Sequence, residues 1–192
     1  MKVLVNYAHP NPNSFNHAVL ESFNKGLKES EHIFQVNDLY ANNFDPCFKL
    51  GDFAQFTGGQ LPKIIMDEQE KVSQSDALVF IYPIWDWGSP AILKGWQDRV
   101  FSNGFAYQFE KKGGLVGILR HKKVLIICST MGSEEFYDKS GITDAMKKID
   151  KATFTGVCGI KNIEHVFLYG VSVSENARKK YLDDVYRLGK EF

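Results

Sequence analysis

Cysteine is scarce in this chain. Cys47, Cys128 and Cys158 are the only three in 192 residues. They are odd in number and far apart, and none belongs to a CxxC pair, which argues against a disulfide framework and against a thiolate metal site. They read as reduced thiols. The five histidines are scattered without metal-ligand spacing, so no metal is expected. Net charge is also missing: 23 basic and 23 acidic residues cancel. That gives no footprint for a nucleic acid or an anionic membrane, and it permits self-association. No stretch approaches the roughly 20 apolar residues of a membrane helix. The opening MKVLVNYAHPNP has one Lys and a short apolar run that ends before Pro10 and Pro12, too short for a signal-peptide core. A cytoplasmic protein is therefore expected. The dinucleotide fingerprint G-x-G-x-x-G, the P-loop and the G-x-S-x-G nucleophile elbow are all absent, which removes the commonest routes to phosphate binding and acyl transfer. There is no repeat, low-complexity stretch or linker, so residues 1–192 are expected to form a single domain.

What is present is an apolar fraction of 44%, enough for a real core, organised as short apolar runs alternating with helix-period segments. The strands expected are Val3 to about Ala8, Ile33–Leu39, Ala77–Tyr82 stopped by Pro83, Lys123–Cys128 and Ile163–Tyr169. The helices expected are Phe15–Lys28, Leu61–Ser73, a segment with Pro90 in its first turn, Thr143–Ile149, and Ser174–Gly189 with Ser174 as its cap. Residues 41–60 read as irregular. This β–α alternation predicts an α/β fold, a three-layer doubly wound domain on a parallel five-stranded sheet. In such sheets ligands bind beyond the carboxyl ends of the strands, where strand order reverses.

The loops at those ends hold the chemistry. After the first strand, His9 to Asn16 joins a strand to a helix start, where Ser14 and Asn16 can cap and free N–H groups favour a phosphate. An ordinary capped turn explains the same residues. After the third strand, Tyr82 to Pro90 packs Trp85, Trp87, Pro83, Pro90 and Gly88 into nine residues. A rigid aromatic loop there suits the flank of a planar ring, and suits a core plug about equally. After the fourth strand, Ser129-Thr130-Met131-Gly132 allows close backbone approach, with Tyr137 nearby. The aromatic run 104–109 fits a pocket wall or core.

Four stretches taken together resemble the NAD(P)H:quinone acceptor oxidoreductase family, which spans DT-diaphorase-type enzymes, the modulator of drug activity B type and ancillary subunits of potassium efflux systems. They are A-H-P-N-P-N-S-F-N at 8–16, D-E-Q at 67–69, S-P-A-I-L-K-G-W-Q-D-R-V-F at 89–101 and G-F-A-Y at 104–107. The resemblance implies a flavodoxin-like fold, a homodimer, and ping-pong hydride transfer from NAD(P)H through a flavin to a quinone-like acceptor. By the same resemblance, cofactor contacts fall on His9, Ser14, Phe15, Asn16 and Gln69, on Pro83, Ile84, Trp85, Asp86, Trp87 and Gly88, and on Ser129, Thr130, Met131 and Gly132. Arg178 matches a family Arg that meets the ADP half of FAD, so FAD is expected, with FMN as the alternative. Tyr137 is the expected catalytic hydroxyl, and Tyr107, Phe109 and Trp87 the expected acceptor pocket.

Three positions depart from the family pattern: Thr143 where a His commonly assists Tyr137, Asp86 where an aromatic is usual, and Phe109 where a pocket Tyr is common. They imply a different acceptor range. The alternative is a flavin-binding regulatory subunit of a potassium efflux system or another redox-sensing partner.

Overall fold

Fourteen helices and strands follow one another along residues 1–192, all of which the computed structural model describes. In chain order they are β1 (Lys2–Tyr7), α1 (Phe15–Glu29), β2 (Ile33–Asp38), α2 (Ala54–Thr57), α3 (Lys63–Ser73), β3 (Ala77–Pro83), α4 (Ala91–Val100), β4 (Tyr107–Phe109), β5 (Leu115–Gly117), β6 (Lys123–Ser129), α5 (Glu134–Lys139), α6 (Ile142–Lys151), β7 (Ile163–Leu168) and α7 (Glu175–Lys190). Five strands form one parallel sheet in the order β2-β1-β3-β6-β7. β4 and β5 form a separate antiparallel hairpin.

Side-chain alternation along the strands builds two cores. Val3, Val5, Val79, Ile81, Leu125 and Ile127 point to one face and pack with Val19, Phe23 and Leu27 of α1 and Val185 of α7. Leu4, Leu78, Phe80, Val124 and Ile126 point to the other, against Ile65 and Val72 of α3, Leu93 and Trp96 of α4, and Phe154. Because both faces are covered, β3 is buried at every residue, which is why it reads as a continuous apolar run. On the first face, α1 and α7 touch through glycines. A Cβ on Gly26 would lie 2.2 Å from the Tyr186 carbonyl oxygen, and one on Gly189 2.3 Å from that of Phe23.

The expected architecture and all five sheet strands are present. Several details differ. Residues 41–60 are not wholly irregular: a 3₁₀ turn at Leu50–Phe53 runs into α2. Arg99 of α4 holds this segment down. Its Nε donates to Asp52 Oδ2 at 2.8 Å and its Nη1 to the Asp45 carbonyl at 2.6 Å, with both charged partners buried. Pro90 is the residue before helix α4 rather than part of its first turn. The hairpin β4–β5, the helix α5 and the π-helical turn Ala152–Val157 have no counterpart in the sequence reading.

Candidate active site

β1 and β3 are neighbours, but the chain leaves β1 toward β2 and leaves β3 toward β6. That reversal opens a crevice at their carboxyl ends. Three loops meet there, after β1, β3 and β6.

The first loop is set by its own short polar side chains. Ser14 caps α1, its Oγ accepting from His17 N at 3.1 Å. Asn11 N–H donates to His9 Nδ1 at 3.0 Å, and Asn13 N–H to Asn11 Oδ1 at 2.8 Å. Burial holds the His9 imidazole below its ordinary value, so a neutral ring with Nδ1 accepting leaves Nε2–H as a donor. Phe15 is half-buried at the start of α1, packed against the core on that face. Asn16 is not a cap. It lies inside α1, 5% exposed, where its Nδ2 donates to Ser129 Oγ at 2.9 Å and Ser129 Oγ donates back to its Oδ1 at 3.2 Å. The residue ties the first loop to the end of β6, because its helix position turns it inward rather than toward the free N–H groups.

The second loop turns on two residues. Trp85 and Gly88 exchange backbone hydrogen bonds at 3.0 and 3.1 Å, with Asp86 at φ 45° and Trp87 at φ 67° between them. Two central residues with positive φ are the mark of a type I′ hairpin turn, which normally carries Asn-Gly. Asp tolerates the left-handed region; Trp is strained there, at roughly 1–2 kcal/mol. The strain leaves Trp85 43% and Trp87 51% exposed, so neither plugs the core. Pro83 ends β3 in register with Ser129, and Ile84 N–H donates to Ser129 O at 2.8 Å, locking the second loop to the third.

The third loop carries a directed hydrogen-bond chain. Gly132 N–H donates to Thr130 Oγ1 at 3.1 Å, and Thr130 Oγ1 donates to the Tyr137 hydroxyl oxygen at 2.6 Å. The Tyr137 proton is left unspent. Gly132 is required by this packing, since a Cβ there would fall 2.8 Å from the Tyr137 ring. Tyr137 is 3% exposed and sits in α5, capped by Ser133. Its ring neighbours are Trp87 at 5.9 Å, Phe136 at 6.0 Å and Tyr169 at 5.6 Å. Ile84, Asp86, Trp87, Thr130, Met131, Gly132, Phe136 and Tyr137 enclose a cleft of about 250 Å³.

Thr143 does not reach Tyr137. It donates to Asp138 Oδ1 at 3.2 Å and pairs with the Tyr169 hydroxyl at 3.0 Å. Burial raises the Tyr169 phenol above its ordinary value. Gln69 is 8% exposed and spends both amide hydrogens within the protein, on Val100 O at 3.0 Å and Ser102 Oγ at 2.8 Å. Arg178 lies in α7 and donates to Val171 O at 3.0 Å, in a loop whose Val171 and Gly170 N–H groups bond Thr130 O and Gly132 O. Tyr107 and Phe109 belong to the β4–β5 hairpin, and no residue of that hairpin lines the cleft. Within one chain, then, the expected acceptor pocket is not assembled: Trp87 is at the cleft and Tyr107 and Phe109 are elsewhere. Phe136 and Tyr169 are the residues sequence reasoning missed. Ser133 followed by Glu134 and Glu135 was the available signal for the short helix that places Phe136.

Residues 1–191 match the family described as having a flavodoxin-like fold. A Haemophilus influenzae protein named as an uncharacterized NAD(P)H oxidoreductase is 30% identical over 185 residues, 95% of this chain and 91% of its own length. NAD(P)H dehydrogenase [quinone] 1 of Cavia porcellus is 32% identical over 88% of this chain and 69% of its own. Among solved structures, an NAD(P)H:quinone oxidoreductase from Methanothermobacter marburgensis superposes with a TM-score of 0.91 at 35% identity, covering 99% of this chain and 98% of that one.

Proposed function

The chain belongs to the flavodoxin-like family that includes the NAD(P)H:quinone oxidoreductases, and from that premise we propose that it is a cytoplasmic NAD(P)H dehydrogenase (quinone), working as a homodimer with FAD. The observation that carries the reading is the Gly132–Thr130–Tyr137 chain, which leaves the phenolic proton of Tyr137 unspent at a cleft also lined by exposed Trp87 and Met131.

The residues present fit a flavin. The left-handed turn at 86–87 lifts an indole out of the core beside the cleft, and the loops after β1 and β6 offer backbone N–H groups. In this reading, His9, Ser14 and Phe15 hold the phosphates, Pro83 to Gly88 flank the ring, and Ser129 to Gly132 approach its edge. Asn16 and Gln69 position these loops. A flavin held there would accept a hydride from NAD(P)H and deliver two electrons to a quinone. Tyr137 would donate its proton as a hydrogen bond to the negative charge that arrives at the ring's far edge, and Thr130 keeps that phenol oriented. Donor and acceptor take turns on the cleft face, which makes the kinetics ping-pong.

Tyr107 and Phe109 complete the pocket from a second copy of the chain, where the 61% exposure of Phe109 would be covered. Two features support FAD. Arg178 keeps guanidinium hydrogens beyond the one given to Val171, and residues 41–60, held down by Arg99, resemble the matching segment of FAD-binding members. The three cysteines are unpaired, which suits a reducing compartment. Heat-releasing the cofactor and weighing it tests the assignment. FAD at one per chain is expected; FMN alone overturns the FAD assignment, and no flavin overturns the reading.

A further inference from the structure

A second cavity lies beside the cleft, under the other side of the 85–88 turn. It has a volume of about 260 Å³ and sits between α4 and α6, with Tyr82 of β3 at its floor and Trp87 common to both spaces. Tyr82 is 4% exposed, yet its hydroxyl makes no hydrogen bond within the protein and faces this cavity. That hydroxyl opens on the cavity, where a polar ligand atom can take the place of water. Burial, with the nearby Asp150 carboxylate adding to it, pushes the Tyr82 phenol well above its usual range. It therefore stays neutral and can donate or accept.

Asp150, at the end of α6, is the cavity's one carboxylate, and Ser89, Gln97 and Thr153 add neutral polar side chains to its wall. Asp150 Oδ2 accepts from His165 Nε2 at 2.9 Å, which leaves Oδ1 for a ligand. Lys94 also lines the cavity, but its ammonium is engaged by Asp98 at 2.5 Å. Met146, Ile149 and Trp87 supply apolar walls. The cavity thus combines apolar walls with one carboxylate acceptor and several neutral hydroxyl and amide groups, and its lysine is paired. A quinone carries only acceptors and would set a carbonyl against Asp150. A dihydroxy aromatic can donate one hydroxyl to Asp150 and share the other with Tyr82.

We propose that this cavity is a binding site for neutral aromatic diols, the class to which a reduced quinone belongs, so that product held there bears on Trp87 and on access to the cleft. The link to product rests on the proposed function; the binding site does not.

The test is calorimetric titration of the oxidised holoprotein with naphthalene-2,7-diol, which forms no simple quinone, and with 2,7-dimethoxynaphthalene, which has no donor. The diol is expected to bind and the diether to bind at least tenfold more weakly. Tyr82→Phe and Asp150→Asn should each weaken the diol by about 5- to 30-fold, while Tyr137→Phe leaves it unchanged. Thermal melts matching the parent's confirm that the Tyr82 and Asp150 variants fold. No diol binding, equal binding of the diether, or weakening by Tyr137→Phe but by neither of the other two would overturn the proposal. If the diol pattern holds in a protein that shows no quinone turnover, the proposed function fails and the diol site stands.

Discussion

Tyr137 is where the chemistry concentrates. Its hydroxyl receives a hydrogen bond from Thr130 rather than giving one, and that direction decides its role. Tyr137→Phe should slow the reductive half-reaction by on the order of 10²-fold, the usual effect of removing one preorganised donor. Thr130→Val should give a smaller loss by freeing the phenol to rotate. Rapid-mixing traces of flavin bleaching check both, and an unchanged Tyr137→Phe rate would remove the assigned role. The turn beside it is strained, with Asp86 and Trp87 both at positive φ. Replacing the pair, Asp86→Asn with Trp87→Gly, restores the sequence this turn prefers. It is expected to raise stability by about 1 kcal/mol and to weaken flavin retention, because the indole is gone. Thermal melts and cofactor content separate the two effects. A variant that melts lower would contradict the strain, and one that keeps its flavin would contradict the role given to the indole.

The regular elements were legible because their periods are distinct. β3 is apolar throughout and buried on both faces, and α1 and α7 each place an apolar stripe at helical spacing. The β4–β5 hairpin was not legible: its strands have three residues each and no buried position. Strand order could not be read either, because it depends on which helix covers which face rather than on any strand's own residues. The cleft was legible in the loops after the first, third and fourth expected strands. Asn16 was misread because its cap chemistry was visible and its inward helix phase was not. Tyr82 read as a strand interior residue, and only the packing of α6 shows that its hydroxyl meets a cavity. The α1–α7 contact makes a prediction at this scale. Gly26→Ala sets a methyl against the Tyr186 carbonyl and should cost about 1–3 kcal/mol or more, since backbone cannot move aside cheaply. Chemical denaturation measures it; a change within 0.5 kcal/mol would mean the two helices are free to separate.

Over the whole molecule, charge balance and the exposed apolar surface point to self-association. Phe48, Leu50, Phe53 and Phe56 are exposed, Leu50 at 88%, and the Phe48 and Phe53 rings meet at 5.2 Å. Sedimentation should give twice 21.8 kDa, and Phe53→Glu should shift it toward the single-chain mass; a monomeric parent would contradict the pocket shared between copies. Stability should also depend on pH through histidine. Burial holds the His9, His32 and His121 rings below their ordinary value of 6.5. The unfolded chain therefore binds protons more readily than the folded one. This contribution is complete above 6.5 and is lost as the pH falls below it. The acidic groups held low, Asp45 (about 2), Asp76 and Asp184, contribute above the carboxylate's ordinary 3.8 and lose that contribution only below it. Denaturation midpoints should thus be flat from pH 8 to 7 and decline between 6.5 and 5. A midpoint that rises over that interval would contradict the buried, neutral state of these rings.

The most direct measurement on the central claim is anaerobic stopped-flow of the yellow protein, mixed first with NADH or NADPH and then with menadione. The account predicts fast bleaching by one nicotinamide, followed by fast return of the yellow form when quinone is added, with the first phase slowed in Tyr137→Phe. Bound flavin that bleaches only sluggishly, or bleaches and is not reoxidised by the quinone, would contradict it and favour a redox-sensing subunit.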